Sequence, residues 1–166
     1  ATRLKRRIQL SYAAGRTHAE QALSQNSDWK AAVGDDLESL SPEAFSTALT
    51  TLEKDDAEAA FWLAFCWGGT MQVELDPASA TQLPKVERLI ARVLELDDTV
   101  FFNVGPDMLT GVLYGFRAPA LGGNPEAAEK HLKRAAERGG ILLPRVLLAQ
   151  FVYAQTEREE DFRTTL

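Results

Sequence analysis

The sequence predicts an all-α chain of about eight helices, stacked as antiparallel pairs. Three observations carry that prediction. Nearly every segment repeats its apolar residues at spacings of three and four, and strand-like alternation bounded by turn residues is hard to find. Prolines stand where helices would begin, at Pro42, Pro84, Pro106 and Pro125. Small and large apolar residues also recur at one interval: Val86, Ile90 and Val93 lie 42 positions before Ala128, Leu132 and Ala135, and Gly69 lies 42 before Gly111.

The elements follow in order. Leu4, Ile8, Tyr12, Gly15, Ala19, Ala22 and Leu23 give a first helix over Leu4–Leu23. Ser41 is placed to cap a second, with Pro42 in its first turn and Ala44, Phe45, Ala48, Leu49 and Leu52 as one stripe. The third runs from a cap at Asp56 and is apolar almost all round between Ala59 and Trp67, which marks a central helix. Pro77 is expected to end it. Pro84 opens the next, with Val86, Leu89, Ile90, Val93 and Leu94 turned inward. Pro106 opens "PDMLTGVLYGFR" and Pro125 opens "PEAAEKHLKRAAER", which Gly139 and Gly140 stop. Leu143–Ala154 reads as a helix carrying Val146, Leu147, Ala149, Gln150 and Tyr153, and a last one starts near Glu157.

Ala128, Leu132 and Ala135 follow the small–large–small pattern of the second helix of a tetratricopeptide unit, and Gly111 and Tyr114 fit the glycine–tyrosine step of its first. Between them Pro119, Gly122, Gly123, Asn124 and Pro125 spell a tight connection. Gly122 and Gly123 let the chain turn where a Cβ would clash, Asn124 offers a capping oxygen, and Pro125 presets φ for the first turn. The bend Gly122–Pro125 is therefore expected to join two antiparallel helices. A loop as apolar as Ala118–Gly123 should be tucked against the body of the protein.

Composition sets the outer limits. The 166 residues suit a single helical-repeat domain, 1–166. A net charge of −6 without a basic stripe makes a poor nucleic-acid binder, since "RLKRR" at Arg3–Arg7 reads as a solvated helical turn. The lone Cys66 lies in an apolar run and reads as an inert buried thiol. No apolar run approaches the ~20 residues of a membrane span. Both ends look cut, so targeting segments are expected to lie outside this stretch.

Reaction chemistry is not visible. His18 and His131 have no Cys, His or Glu at metal spacing, and His131, on the border of the packed face, reads as a hydrogen-bonded structural histidine. The adjacent acid pairs, such as Asp55–Asp56 and Asp97–Asp98, read as caps and solvated faces. No GxSxG elbow and no phosphate loop occurs. No catalytic residue, metal or cofactor is expected, and an enzyme would need a cleft that gathered His131 with a carboxylate and a metal. The aromatics carry more. Phe61, Trp62, Phe65, Trp67, Phe101 and Phe102 are either core or the lining of an apolar cavity, with Gly68 and Gly69 thinning its wall. Trp62, Trp67 and Tyr114 are the candidate lining, and Arg117 and Asn124 lie in the loop near its mouth. Arg117 either orients an anionic ligand or bonds the loop carbonyls.

Leu113–Leu166 resembles the T component of tripartite ATP-independent periplasmic (TRAP) transporters. The resemblance rests on Pro119, Gly122, Gly123, Asn124, Pro125, Ala128, His131, Leu132, Ala135, Gly140, Asp161 and Phe162 in order. Upstream, "AAFWLAFCWGG", "LPKVERLIARVLELDD" and "SYAAGRTHAEQAL" are similar to further segments of that family, so the likeness spans nearly the whole chain. Leu132 stands where the family usually has phenylalanine. The resemblance implies an α-helical, tetratricopeptide-like periplasmic lipoprotein, not an enzyme. It would dock the solute-binding subunit of a TRAP transporter, bind a small hydrophobic or organic-acid ligand, and assemble with copies of itself. The family's lipid-modified cysteine lies outside this stretch, and Cys66 is no substitute. A general peptide-binding helical scaffold, unconnected to transport, is the competing expectation; it would present a polar groove in place of an apolar one.

Overall fold

A computed structural model describes residues 2–74 and 81–166. Among these residues there are nine α-helices and no strands. The helices are α1 (Thr2–Leu23), α2 (Ser27–Val33), α3 (Pro42–Leu49), α4 (Ala57–Glu74), α5 (Leu83–Leu96), α6 (Gly105–Gly115), α7 (Pro125–Arg138), α8 (Leu143–Leu148) and α9 (Glu159–Thr165). Pro77, expected to end α4, lies outside the described residues. Two compact units divide the chain, Ala1–Asp97 and Asp98–Leu166.

In the first unit α4 packs on both α1 and α5. Ala57, Ala60, Phe61, Leu63, Ala64, Cys66 and Trp67 are all buried, as expected of a helix apolar on every side. The α1–α4 contact is close because two glycines admit large neighbours. A Cβ on Gly15 would stand 2.6 Å from Cys66 Sγ, and one on Gly69 would stand 2.5 Å from the Tyr12 ring. Gly69 therefore does not thin a wall: Tyr12 lies across it. On α5, Val86, Leu89, Ile90 and Val93 are buried, whereas Leu94 is only half-buried at the margin of the stripe. Lys85, also buried, donates from Nζ to the carbonyl of Glu38 and so ties the loop after α2 to α5.

Ser41 caps α3 as expected, its Oγ accepting from the Ala44 amide at 3.1 Å. Asp56 acts one turn earlier than expected: its carboxylate accepts from the amide of Glu53 at 2.9 Å and from Asn26 Nδ2 at 2.7 Å. It thereby closes the short 3₁₀ turn Lys54–Asp56 that leads into α4. The additional helix α2 starts at Asn26, whose Oδ1 accepts from the amides of Asp28 and Trp29, and stops at Gly34 with φ +69°. It exists to bury Trp29.

In the second unit α6 and α7 form an antiparallel hairpin. Moving along the pair, Val104 meets Gly139, Asp107 meets Arg134, Gly111 meets Leu132, and Gly115 meets Ala128. The core collects Val104, Met108, Ala128, Leu132, Ala135, Leu148, Val152 and Tyr153. A Cβ on Gly111 would sit 2.5 Å from Leu132 Cγ, so the small–large alternation read from the sequence is what lets the two backbones approach. The bend Gly122–Pro125 does join these antiparallel helices.

Two features of this unit depart from expectation. Beyond α8 the chain makes a π-helical turn, Ala149–Tyr153, closed by the Ala154 amide on the carbonyl of Ala149 at 2.9 Å. One extra residue in that turn rotates the buried face onto Leu148, Ala149, Val152 and Tyr153 and leaves Val146 and Gln150 exposed. Before α6, Phe101, Phe102 and Asn103 are all left-handed, with φ of 54°, 58° and 63°. Consecutive left-handed residues cost roughly 1–2 kcal/mol each. The result is a turn that packs Phe101 against the core and leaves Phe102 66% exposed, neither core nor cavity lining.

Candidate functional site

The candidate site of the first unit is a groove of about 490 Å³ between α1 and α4. Its floor consists of small residues, Gly15, Ala19, Ala22 and Ala59, which is why two packed helices leave an opening there. Trp62 forms the wall, braced edge-on by Phe61 at 5.2 Å and Phe65 at 5.6 Å between ring centroids. His18, Asp55 and Glu58 also line the groove. Cys66 closes its end, and burial pushes that thiol up from its ordinary pKa, so it stays neutral and unreactive at neutral pH.

Trp67 is not in the groove. Five residues along α4 from Trp62, it points about 140° away. It is 2% exposed, edge-on to Phe45 at 6.3 Å, with the Arg16 guanidinium 4.7 Å from its ring centre. Arg16 is held in turn by Glu20 at 2.8 Å and Glu38 at 2.6 Å. Burial opposes its charge, but the two glutamates outweigh that and raise its pKa. A smaller, more polar cavity of about 260 Å³ is lined by Arg16, Glu20 and Glu38 together with Trp29, Lys30 and Asp36.

The second unit holds the other sequence-predicted residues, and there they build a turn. The Asn124 amide donates to the carbonyl of Tyr114 at 3.0 Å, and Asn124 Oδ1 accepts from the Ala127 amide at 3.0 Å. Arg117 Nε donates to the carbonyl of Leu113 at 2.9 Å, a bond to the last turn of α6 and not to the loop. Gly122 has φ +83°, and a Cβ on Gly123 would stand 1.9 Å from the carbonyl oxygen of Arg117. Pro119 begins a short 3₁₀ turn, Pro119–Leu121, and Pro125 occupies the first turn of α7. The expectation that this apolar loop is tucked against the body of the protein does not hold: Ala118, Pro119, Ala120 and Leu121 are exposed, and their backbone bonds close within the loop. The Gly123 amide reaches back to Ala118, and Leu121 stands 73% exposed at the tip, because a chain folded this tightly on itself has no room to turn it inward.

Below the turn lies a charge cluster the sequence reading missed. Asp107, fully buried in the first turn of α6, accepts from His131 Nδ1 at 2.8 Å on one oxygen and from Arg134 Nε on the other. Arg138 stands 3.7 Å away and also forks onto Asp98. Burial pushes the Asp107 carboxyl up, but the bonds from His131 and Arg134 outweigh it and hold it below the usual carboxylate range. His131 thus meets a carboxylate, but a buried one already shared with arginine. No group of three His, Cys, Asp or Glu able to hold a metal occurs among the described residues. The signal was present: His131, Arg134 and Arg138 recur at spacings of three and four on α7, facing Asp107 once the hairpin closes.

The fold defines a helical-hairpin protein whose first unit carries an apolar groove beside an aromatic wall. The family model of the TRAP transporter T-component matches residues 1–166, the whole chain, and the chain belongs to that family. Membership assigns it an accessory role in a TRAP transporter and a periplasmic or membrane-associated setting. No helix among the described residues is long and apolar enough to cross a membrane. No curated protein matches the chain.

Proposed function

We propose that this chain is a non-enzymatic periplasmic T component that docks the solute-binding subunit of a TRAP transporter and seats a small hydrophobic or organic-acid ligand. The observation that carries the reading is the family match over residues 1–166. The α1–α4 groove supports its ligand half, since about 490 Å³ lies within the roughly 300–1,000 Å³ of small-molecule sites. Trp62 is the wall such a ligand would meet, while Trp67 acts from behind it, fixing Arg16 and the packing of α4. The Tyr114–Arg117–Asn124 turn supports the docking half, because it holds Leu121 rigidly in solvent. A lipid anchor of the kind the resemblance implies would keep the protein at the membrane, and copies of the chain are a second class of partner.

Capture of the cognate solute-binding subunit by the purified, immobilised protein tests docking. Retention of that subunit, weakened at least about ten-fold by Leu121→Asp, is expected; ten-fold corresponds to about 1.4 kcal/mol. No retention at high micromolar concentration by a folded protein would sink the docking half.

A further inference from the structure

The α1–α4 groove differs from an anion site in its charges. Its lining contains no lysine or arginine. Two of its polar residues are the carboxylates Asp55 and Glu58, both exposed, and neither makes an ion pair among the described residues. The neighbouring Lys54 reaches toward Asp97, at 3.9 Å, instead. Floor and wall are apolar, and an indole is the side chain whose ring attracts a cation best. Residues 1–97 also hold most of the chain's excess negative charge, so the field around the groove repels anions.

From this we infer that the groove takes a small apolar molecule bearing a positively charged amine or quaternary ammonium. The apolar body lies on the alanine floor against Trp62, and the charged group sits at the edge formed by Asp55 and Glu58. The inference rests on the ligand half of the proposed function and narrows it: a carboxylate ligand would bring its charge beside two like charges with no arginine to receive it. His18, on the α1 side, is the one lining residue able to soften that repulsion.

The test is a titration of the full chain, by calorimetry at neutral pH and low salt, with adamantylammonium and with adamantanecarboxylate. The two probes share a hydrocarbon body and differ in the sign of the charge. Adamantylammonium is expected to bind at least about ten-fold more tightly, because its charge sits beside two carboxylates that repel the other probe. The double variant Asp55→Asn/Glu58→Gln, at exposed positions that leave the core untouched, should lose the preference yet keep weak binding of both probes. Trp62→Ala should weaken both. Glu159→Gln/Glu160→Gln, which removes the same charge from the second unit, should change nothing. Equal or tighter binding of the carboxylate, or a preference that survives Asp55→Asn/Glu58→Gln, overturns the inference while leaving the ligand site standing. Binding of neither probe overturns the inference and counts against the ligand half of the proposed function. Docking of the solute-binding subunit is read separately, by capture, in each case.

Discussion

The α1–α4 contact of the first unit and the α6–α7 hairpin of the second solve one problem in two ways. Both bring helices close by setting glycine against a large side chain: Gly15 against Cys66 and Gly69 against Tyr12 in one, Gly111 against Leu132 and Gly139 against Val104 in the other. Across its contact the first pair sets the Arg16 guanidinium over the Trp67 ring, with no ion pair between the two helices among the described residues, and it leaves an opening lined by small residues. The second is sealed at one end by a buried carboxylate under three cationic or polar side chains, and at the other by a turn bonded to itself. Close packing alone leaves space, whereas a directed polar contact at each end fixes the register of a hairpin. The greasy contact is thus suited to accommodate something, and the sealed one to hold a shape.

The largest effect expected follows from breaking the seal. Asp107→Ala leaves His131, Arg134 and Arg138 without their shared acceptor and empties a buried position. A loss of about 2–3 kcal/mol is expected in urea unfolding, less than for a fully buried pair because the arginines regain water. A loss under about 1 kcal/mol would show that the cluster does not lock the hairpin. Acid sharpens the same point. Asp107 has its pKa lowered by folding, so its contribution is complete above the ordinary Asp value of about 3.9 and fades as pH falls through the lower folded value. Wild type should therefore lose stability below about pH 4 more steeply than Asp107→Ala, measured as melting temperature against pH.

Smaller effects separate the two glycine contacts. Gly111→Ala is expected to cost about 2 kcal/mol, because the new methyl meets Leu132 at 2.5 Å and the Ala128 carbonyl at 3.2 Å in a closed core. Gly15→Ala should cost less than about 1 kcal/mol. There the obstacle is one sulfur at 2.6 Å that opens onto the groove, and alanine regains helix propensity in the middle of α1. Equal costs would erase the contrast between a sealed and an open contact. The smallest effect is a gain: Phe102→Gly should raise stability by roughly 0.5 kcal/mol, since relief of a left-handed residue exceeds the loss of an exposed ring's contacts. A fall in melting temperature would show that the ring contributes more than its exposure suggests.

The sequence announces this fold wherever a boundary is chemical. Ser41–Pro42 and Asn124–Pro125 each mark a helix start by the hydrogen bonds and φ values they offer, and the chain obeys them. Gly139 does follow the end of α7, but with φ −97° and not left-handed, at a point where Val104 packs too close for a Cβ. It is silent where an element is too short to show a period: α2 has seven residues, bracketed only by Asn26 and Gly34. The left-handed turn was illegible because bulky Phe101 and Phe102 argue against it, and only Asn103 hints at it. Of the site, the self-bonded turn was readable because it is local. Trp62 and Trp67 were wrongly paired, since residues five apart on a helix face different ways. Asp107 was missed because its partners lie 24 and more residues away and come within reach only through the register of the hairpin.

The three tryptophans stand in α2 and α4, at Trp29, Trp62 and Trp67, and none stands beyond residue 97. Indole emission is thus a private signal of the stretch that bears the groove, while circular dichroism sums over every helix. Following both through one melt reveals whether the halves of this polypeptide come apart in concert or in turn, with no label added.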